Sequence, residues 1–349
     1  LNPSTIVKLR AEAVKDREAE QILYEAHRLA LEKGTPYFAN LIPKEQRYAS
    51  YTATGFRLTS DWSGDWELDA LRTGSVGSVI MNLPRAYYDS GGDENRFFEH
   101  LHDRLEMTAR ALEIKYLTIK QRVKERLLPF LTQRMNGDPY YRLENASRLV
   151  GFVGLSETVQ SISGDPIYES KGSLSFAEEI VTFLYKELES YSKKFEARFS
   201  LSMLPCKEAA RRLAELDIEK YGLAQVRVQG DKKNPTYTDI TAIPINADIP
   251  LKDYLKIEER FHRLASGSHL TPILVDDEEN DPDSLLLTTR EILKAHRIGF
   301  YTYDRKIFYC NSCRKLFYGK VLKCPVCGSV KTMIRFVRKS TRDSVNLKH

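Results

Sequence analysis

Cysteine and tryptophan are scarce in this chain, at five and two of 349 residues. So few cysteines make no disulfide scaffold, and no secretory leader is recognisable, which excludes a small extracellular stapled domain. No apolar run approaches the ~18 residues that cross a bilayer, so no membrane partner is expected. Internal repeats and low-complexity tracts are also absent, which removes solenoids and compositional linkers. The first residue is Leu rather than Met, as expected of a processed or partial product. What remains, 42% hydrophobic and 29% charged residues, suits a soluble, cytoplasmic globular protein with a sizeable core.

Four of the five cysteines fall within YCNSCRKLFYGKVLKCPVCGSV, residues 309–330, as Cys310-x-x-Cys313 and Cys324-x-x-Cys327. Two such knuckles, ten residues apart, place four thiolates at the corners of a tetrahedron, which suits zinc. All four ligands come from protein, so the expected zinc is structural, one per chain, with no open position for water or substrate. Pro325 and Gly328 help the second knuckle turn. Two disulfides are the weaker alternative. The fifth cysteine, Cys206, reads as an inert buried thiol.

Charge is unevenly spread. The chain has 53 basic and 48 acidic residues, and the segment from Arg305 to His349 takes twelve of the former and one of the latter. That segment carries +11 and the rest −6. Lys331, Arg335, Arg338, Lys339 and Arg342 therefore form a candidate phosphate-binding surface for RNA, the ribosome or other nucleic acid. A basic tail docking on the acidic body of its own chain, or on a partner, is the equal alternative.

Helices alternate with short strands, which argues for an α/β sheet or barrel. Residues 4–33 read as one long charged helix or a helix pair ending at Gly34. Phe97, Leu101, Leu105, Ala109 and Leu112 recur at helical spacing, which predicts a helix over 95–115. Ser175 and Glu178 form a capping box for another, and further helices cover 207–221 and 251–265. FSLSML, AQVRVQG and YTDITAIPI read as strands, and the acidic run at 276–284 as a surface loop. TGSVGSV at 73–79 lacks phosphate-cradle spacing and reads as a tight loop entering a strand. His269 reads as a hydrogen-bonded structural histidine, and Trp62 and Trp66 as anchors of their own loop. His100 and His102 cannot easily share a ligand face on a helix. The domain expectation is an α/β body at 1–304, a zinc ribbon at 305–330 and a basic tail at 331–349.

Longer segments carry a resemblance. TGSVGSVIMNLPR (73–85), ALEIKYLTIKQR (111–122), RLVGFVGLSE (148–157), RLAELDIEKYG (212–222) and the four-cysteine knot resemble the anaerobic (class III) ribonucleoside-triphosphate reductases, in order and approximate spacing. The resemblance implies half of a glycyl-radical, ribonucleotide-reductase-type ten-stranded α/β barrel with a C-terminal zinc ribbon. It also implies a mechanism: a glycyl radical after the zinc knot, a thiyl on a finger-loop cysteine, formate as reductant, and an iron–sulfur activase that uses S-adenosylmethionine.

Both radical positions depart from that pattern. The finger-loop pattern aligns with TATGFRL at 52–58, placing Gly55 and Phe56 where cysteine is expected, and Phe56 cannot form a thiyl. The C-terminal pattern aligns with RFVRKSTRD at 335–343, where Ser340 or Thr341 stands for glycine, and Gly328 is the last glycine of the chain. Ser156 replaces the Asn of Val-Gly-Leu-Asn-Glu, and Ser268 replaces a glycine of Gly-Gly-His-Leu. The sequence thus predicts a catalytically silent relative acting as a binding or regulatory module, with a nucleotide in the half-barrel, a reductase-like chain or a second copy as further candidate partners. The alternative is a functional reductase component that takes its radical residues from a second chain.

Overall fold

A computed structural model of the protein describes residues 5–12, 16–52, 54–230, 233–276, 281–318, 321–336 and 343–344. They form two compact units, one of Leu1–Ile42 with Thr271–His349 and one of Pro43–Leu270.

The first unit opens with β1 (Ile6–Leu9), α1 (Arg17–Lys33) and β2 (Tyr37–Asn40). The helix expected over 4–33 is therefore a strand followed by a shorter helix. Ile6 and Val7 pair in parallel with Tyr37 and Phe38, and that pairing overrides the charged local text. Asp16 caps α1 by accepting from the amides of Glu18 and Ala19, which contributes about 1 kcal/mol. Gly34 closes α1 at φ 62°, the left-handed position that glycine takes most cheaply.

The second unit starts with β3 (Ser50–Tyr51), β4 (Arg57–Leu58), α2 (Trp66–Ala70), β5 (Ser75–Asn82), α3 (Leu83–Asp89) and α4 (Glu94–Lys124). It continues with β6 (Arg134–Met135), β7 (Asp138–Pro139), β8 (Ser147–Val153), α5 (Leu155–Ser163), α6 (Lys171–Lys194) and β9 (Phe199–Met203). α7 (Lys207–Tyr221), α8 (Leu251–Leu264) and β10 (Ser268–His269) complete it. A four-stranded parallel sheet of order β10–β9–β8–β5 forms its centre. Every residue of β8 and β9 is buried, as expected for parallel strands whose faces are covered. α4 packs on β5 and β8, and α6 on β9.

The chain then returns to the first unit with β11 (Thr271–Leu274), α9 (Pro282–Ala295) and β12 (Phe300–Asp304), completing a mixed sheet of order β1–β2–β12–β11. β13 (Ile307–Cys310), β14 (Lys315–Tyr318), β15 (Met333–Phe336) and β16 (Asp343–Ser344) make an antiparallel ribbon of order β14–β13–β15–β16. The expected ribbon–tail boundary at 330 falls between the second knuckle and β15, whose Met333 lies opposite Cys310.

Several local expectations change. The helix expected over 95–115 runs on to Lys124. α6 begins at Lys171 under a Ser170 cap, so Ser175 lies inside the helix and caps nothing. FSLSML is β9, but AQVRVQG and YTDITAIPI are irregular apart from one bridge, Gln229 to Thr236. YTDITAIPI trades ladder bonds for side-chain partners: the Glu157 carboxylate takes the Thr238 amide, and Glu258 takes those of Ala242 and Ile243; in AQVRVQG the Arg227 amide donates to the Tyr88 hydroxyl. Of the acidic run, Pro282–Ser284 opens α9 under an Asp281 cap, and 277–280 lie outside the described residues.

Three helices of the second unit meet at Asp89, the last residue of α3. Its carboxylate accepts from Lys220 Nζ at 2.7 Å, from Arg104 Nη2 at 2.5 Å and from the Tyr221 hydroxyl. Burial works against the charge, yet the bonds from Lys220, Tyr221 and Arg104 hold the carboxyl at about 2. A depressed pKa contributes stability that is present above the unfolded value and lost as pH falls through the folded one. Wild type should therefore be more stable than Asp89→Asn by about 1–2 kcal/mol at neutral pH, and the gap should close between pH ~4 and ~2. Urea melts of both proteins across that range check it; a gap independent of pH contradicts the assignment.

Candidate functional site

The four cysteines converge. Their Sγ atoms all lie within 4.8 Å of one another, with Cys310–Cys327 at 3.4 Å and Cys313–Cys324 at 3.5 Å. A zinc–sulfur bond of ~2.3 Å gives a tetrahedron edge of about 3.8 Å, inside that range, so the donor set fits a metal ion such as zinc. Each knuckle turns through a left-handed residue directly after its second cysteine, Arg314 at φ 57° and Gly328 at φ 72°. Arg314 N donates to Cys310 O and Gly328 N to Cys324 O. The glycine was legible in the sequence; the arginine doing the same in the first knuckle was not. The Thr332 hydroxyl lies 3.5 Å from Cys310 Sγ and lowers that thiol's pKa. Cys310, Cys324, Phe308 and Met333 form a small buried cluster, so the thiols double as the ribbon's core.

The segment that the resemblance aligns with the finger loop is equally defined. Thr52 N donates to Phe56 O and Gly55 N to Thr52 O, with Gly55 at φ 84°, closing a tight turn between β3 and β4. Phe56 bridges Ser268, and Arg57 N donates to Gly267 O. The Phe56 ring is 8% exposed and packs in a cluster with Leu58, Ala70, Leu149 and Leu204. The position where the resemblance expects a thiol thus holds apolar filling. Ser268 is fully buried, and its hydroxyl has no hydrogen-bond partner. A Cβ at Gly267 would come within 2.5 Å of Ser202 Oγ, so Gly267 is required where the chain crosses β9.

Ser156 is buried on the first turn of α5, which opens at Gly154 in a left-handed conformation. Beside it the buried Glu157 accepts from Thr238 N and, at 2.8 Å, from Thr238 Oγ1. Burial raises its pKa, and bonds from Gln229 and Thr238 oppose the rise. His269 Nε2 lies 2.8 Å from Glu258 Oε2, and its ring stacks on His262 at 4.0 Å, consistent with a structural role. Cys206 is half-buried at the start of α7, and burial pushes its thiol up. Trp66 stacks on Tyr48, while the Trp62 loop is held by Asp69, which accepts from the amides of Trp62, Ser63 and Gly64.

Sequence reasoning missed Asp217. This fully buried carboxylate accepts from Asn82 Nδ2 at 2.9 Å, Arg85 Nε at 2.5 Å and Tyr237 OH at 2.7 Å. It joins NLPR to LDIEKYG, two segments whose text was distinctive but whose contact no spacing announced. Of the expected basic surface, Lys331 and Arg335 are exposed, and Arg335 lies on β15 opposite Phe308. Arg338, Lys339 and Arg342, and Ser340 and Thr341 at the expected glycine position, lie outside the described residues. No helix among the described residues is long and apolar enough to cross a membrane.

Comparison with known proteins agrees with this architecture. Residues 2–341 match the family model described as anaerobic ribonucleoside-triphosphate reductase. The anaerobic ribonucleoside-triphosphate reductase of Escherichia coli K12 is 24% identical over 273 residues, 73% of this chain and 37% of that protein. The same-named protein of Enterobacteria phage T4 is 25% identical, over 68% of this chain and 39% of its own. The anaerobic ribonucleotide reductase of Thermotoga maritima, in complex with dATP and CTP, superposes with a TM-score of 0.69 at 19% identity, covering 96% of this chain and 53% of that one. The chain thus spans about half or less of the length of the proteins it matches, and within that span it has the glycyl-radical barrel fold of the anaerobic ribonucleotide reductases. With the scaffold text, the fold and the four-cysteine site all in agreement, the chain belongs to the anaerobic ribonucleoside-triphosphate reductase family.

Proposed function

We propose that this chain serves anaerobic ribonucleoside-triphosphate reduction as a reductase-fold component whose radical residues come from a second polypeptide. One observation carries the reading: the family scaffold extends over nearly the whole chain, while Phe56, which the resemblance aligns with the finger-loop cysteine, packs in an apolar cluster. Abstraction of a ribose hydrogen needs an S–H bond of suitable strength, which a phenyl ring does not offer. The partner would therefore bring the thiol and, where Ser340 or Thr341 stands at the aligned glycine position, the glycine; this chain would bring shape, nucleotide-binding surface and the metal ribbon. The Thermotoga maritima relative, solved with dATP and CTP, supports a nucleotide as the ligand class. The setting that fits this chemistry is cytoplasmic.

A second reading is favoured by the burial of Phe56 and by the basic C-terminal segment. In it the chain is a catalytically silent relative, a binding or regulatory module for RNA, the ribosome or other nucleic acid, engaged through Lys331, Arg335, Arg338, Lys339 and Arg342. Here too the ribbon holds one structural zinc on Cys310, Cys313, Cys324 and Cys327.

Alone, with a family activase, S-adenosylmethionine, CTP and formate, the chain should give no glycyl-radical doublet in electron paramagnetic resonance and no dCTP. Added to a full-length radical-bearing reductase, it should form a complex and change the rate of dCTP formation at least twofold. Activity of the chain alone refutes the need for a partner; failure to bind or influence the reductase refutes the component reading.

Elemental analysis should find close to one zinc per chain. Cys324→Ser should release it and loosen the ribbon from about residue 305, because structural zinc binding is coupled to local folding, and leave the α/β units folded. A ribbon that stays protected from hydrogen exchange without metal contradicts the structural role.

The second reading predicts RNA affinity that falls on the order of 100-fold between 50 and 200 mM salt, as four or five phosphate contacts would give. Replacing Arg335, Arg338, Lys339 and Arg342 with Ala should abolish most of it. RNA affinity indifferent to those changes, in a gel-shift titration, ends that reading.

A further inference from the structure

A cavity of about 390 Å³ opens in the second unit, where the C-terminal turns of α4 face the β6–β7 hairpin and the segment leading into β8. Lys120, Lys124, Arg126 and Arg134 line it, against a single acid, Glu144. We propose that this cavity binds a compact di- or triphosphate anion, free or carried on a nucleoside.

The surrounding carboxylates are already committed. Glu113 pairs with Arg148 at 2.8 Å and Asp138 with Arg72 at 3.1 Å, while Glu125 accepts from the neutral Gln121 amide, keeps its charge and is not among the lining residues. Lys124 and Arg126 have no acidic partner among the described residues. Four cations around a concave space, three in excess of acid, create a local potential that favours a polyanion.

Helix electrostatics account for only part of this. A cation in the last turn of α4 is favoured by the carbonyl end of the helix, which covers Lys124. It does not cover Arg134, which comes from the hairpin. Nor does it cover the conformation of Arg126. α4 ends in a Schellman arrangement, with Arg126 N donating to Val123 O and Leu127 N to Arg122 O. Arg126 occupies its left-handed position at φ 58°, where glycine is ordinarily found. Arginine there costs about 1 kcal/mol relative to glycine. A side chain held at that expense on the rim of a basic cavity points to a role for its guanidinium.

The walls are preorganised. The hairpin turns through Asn136 and Gly137 at φ 51° and 89°, the pattern of a tight two-residue loop. Arg134 Nη1 donates to Gly137 O at 2.9 Å, which fixes the guanidinium without neutralising it. Tyr116 is clamped by the Arg148 guanidinium 4.0 Å over its ring. The volume lies at the small end of the ~300–1,000 Å³ typical of ligand pockets, enough for a triphosphate with little room beyond the first sugar. Arginine and lysine together supply the charge-assisted bonds that phosphate oxygens accept.

The test needs no reductase activity, so its outcome is independent of the functional reading above. Sodium triphosphate and ATP are titrated separately into the full chain by calorimetry at low salt, followed by hydrogen–deuterium exchange of the saturated protein. Saturable one-to-one binding with protection within residues 116–144 is expected. Lys124→Gln with Arg126→Gly and Arg134→Gln should weaken it at least tenfold. Arg126→Gly suits the backbone, so that change alone should leave the melting temperature equal or higher and still lower the affinity. Lys331→Ala with Arg335→Ala should change nothing. ATP binding tighter than triphosphate places the phosphate chain on a nucleoside; equal or weaker binding leaves the free anion. Absence of saturable binding, affinity unchanged in the triple variant, or protection confined to residues outside 116–144 overturns the proposal.

Discussion

Asp217 is the charge around which the larger unit is arranged. It is completely buried, and a carboxylate in that position is tolerable only when its oxygens are fully engaged. Asn82 at the end of β5, Arg85 on α3 and Tyr237 in the irregular segment after α7 supply the donors. One side chain therefore fixes where β5 hands over to α3, how α7 lies against that junction, and where residues without regular structure come to rest. Tyr237 in turn packs with Val153 and Ala214, carrying the same constraint to the end of β8. Removing any one donor would strand a buried charge, so the arrangement resists piecemeal change.

The scaffold of this chain does not depend on which residue stands at the turn between β3 and β4. The parallel sheet, its covering helices and the four-cysteine ribbon are all formed, while the turn between β3 and β4 carries a phenyl ring in an apolar cluster. Phe56 gains there from burial with Leu58, Leu149 and Leu204. The fold depends on packing and on hydrogen-bonded charges such as Asp217 and Arg148, none of which require the radical residues. Ser268, buried with an unpartnered hydroxyl opposite Phe56, marks the same place as one where polar matching is incomplete.

The two cationic regions differ in kind. Lys331 and Arg335 lie on the exposed ribbon, where charges are solvated and screened. Lys120, Lys124, Arg126 and Arg134 are exposed as well, but they converge on one concave space, where a single polyanion can meet several of them at once. Counting charge along the sequence drew attention to the first and passed over the second.

Features set by nearest neighbours were determined by the sequence alone. The two Cys-x-x-Cys knuckles were legible as a metal-binding set because a tetrahedron needs only local spacing and one short loop. Helix α4 was legible from apolar periodicity, α7 and α8 were expected close to their bounds, and the end of α7 was legible from Gly222. Distinctive segments such as NLPR and LDIEKYG identified the family, though not what those residues do. Tertiary structure decided the rest. Ile6–Leu9 became a strand because β2 lies beside it, YTDITAIPI stayed irregular because buried carboxylates took its amides, AQVRVQG because turn carbonyls and the Tyr88 hydroxyl took amides of its own, and Ser175 proved interior because Ser170 capped first. Phe56 with Ser268, the Asp217 hub and the basic cavity each join residues far apart in the chain. Such contacts follow from how layers pack, and no local pattern records them.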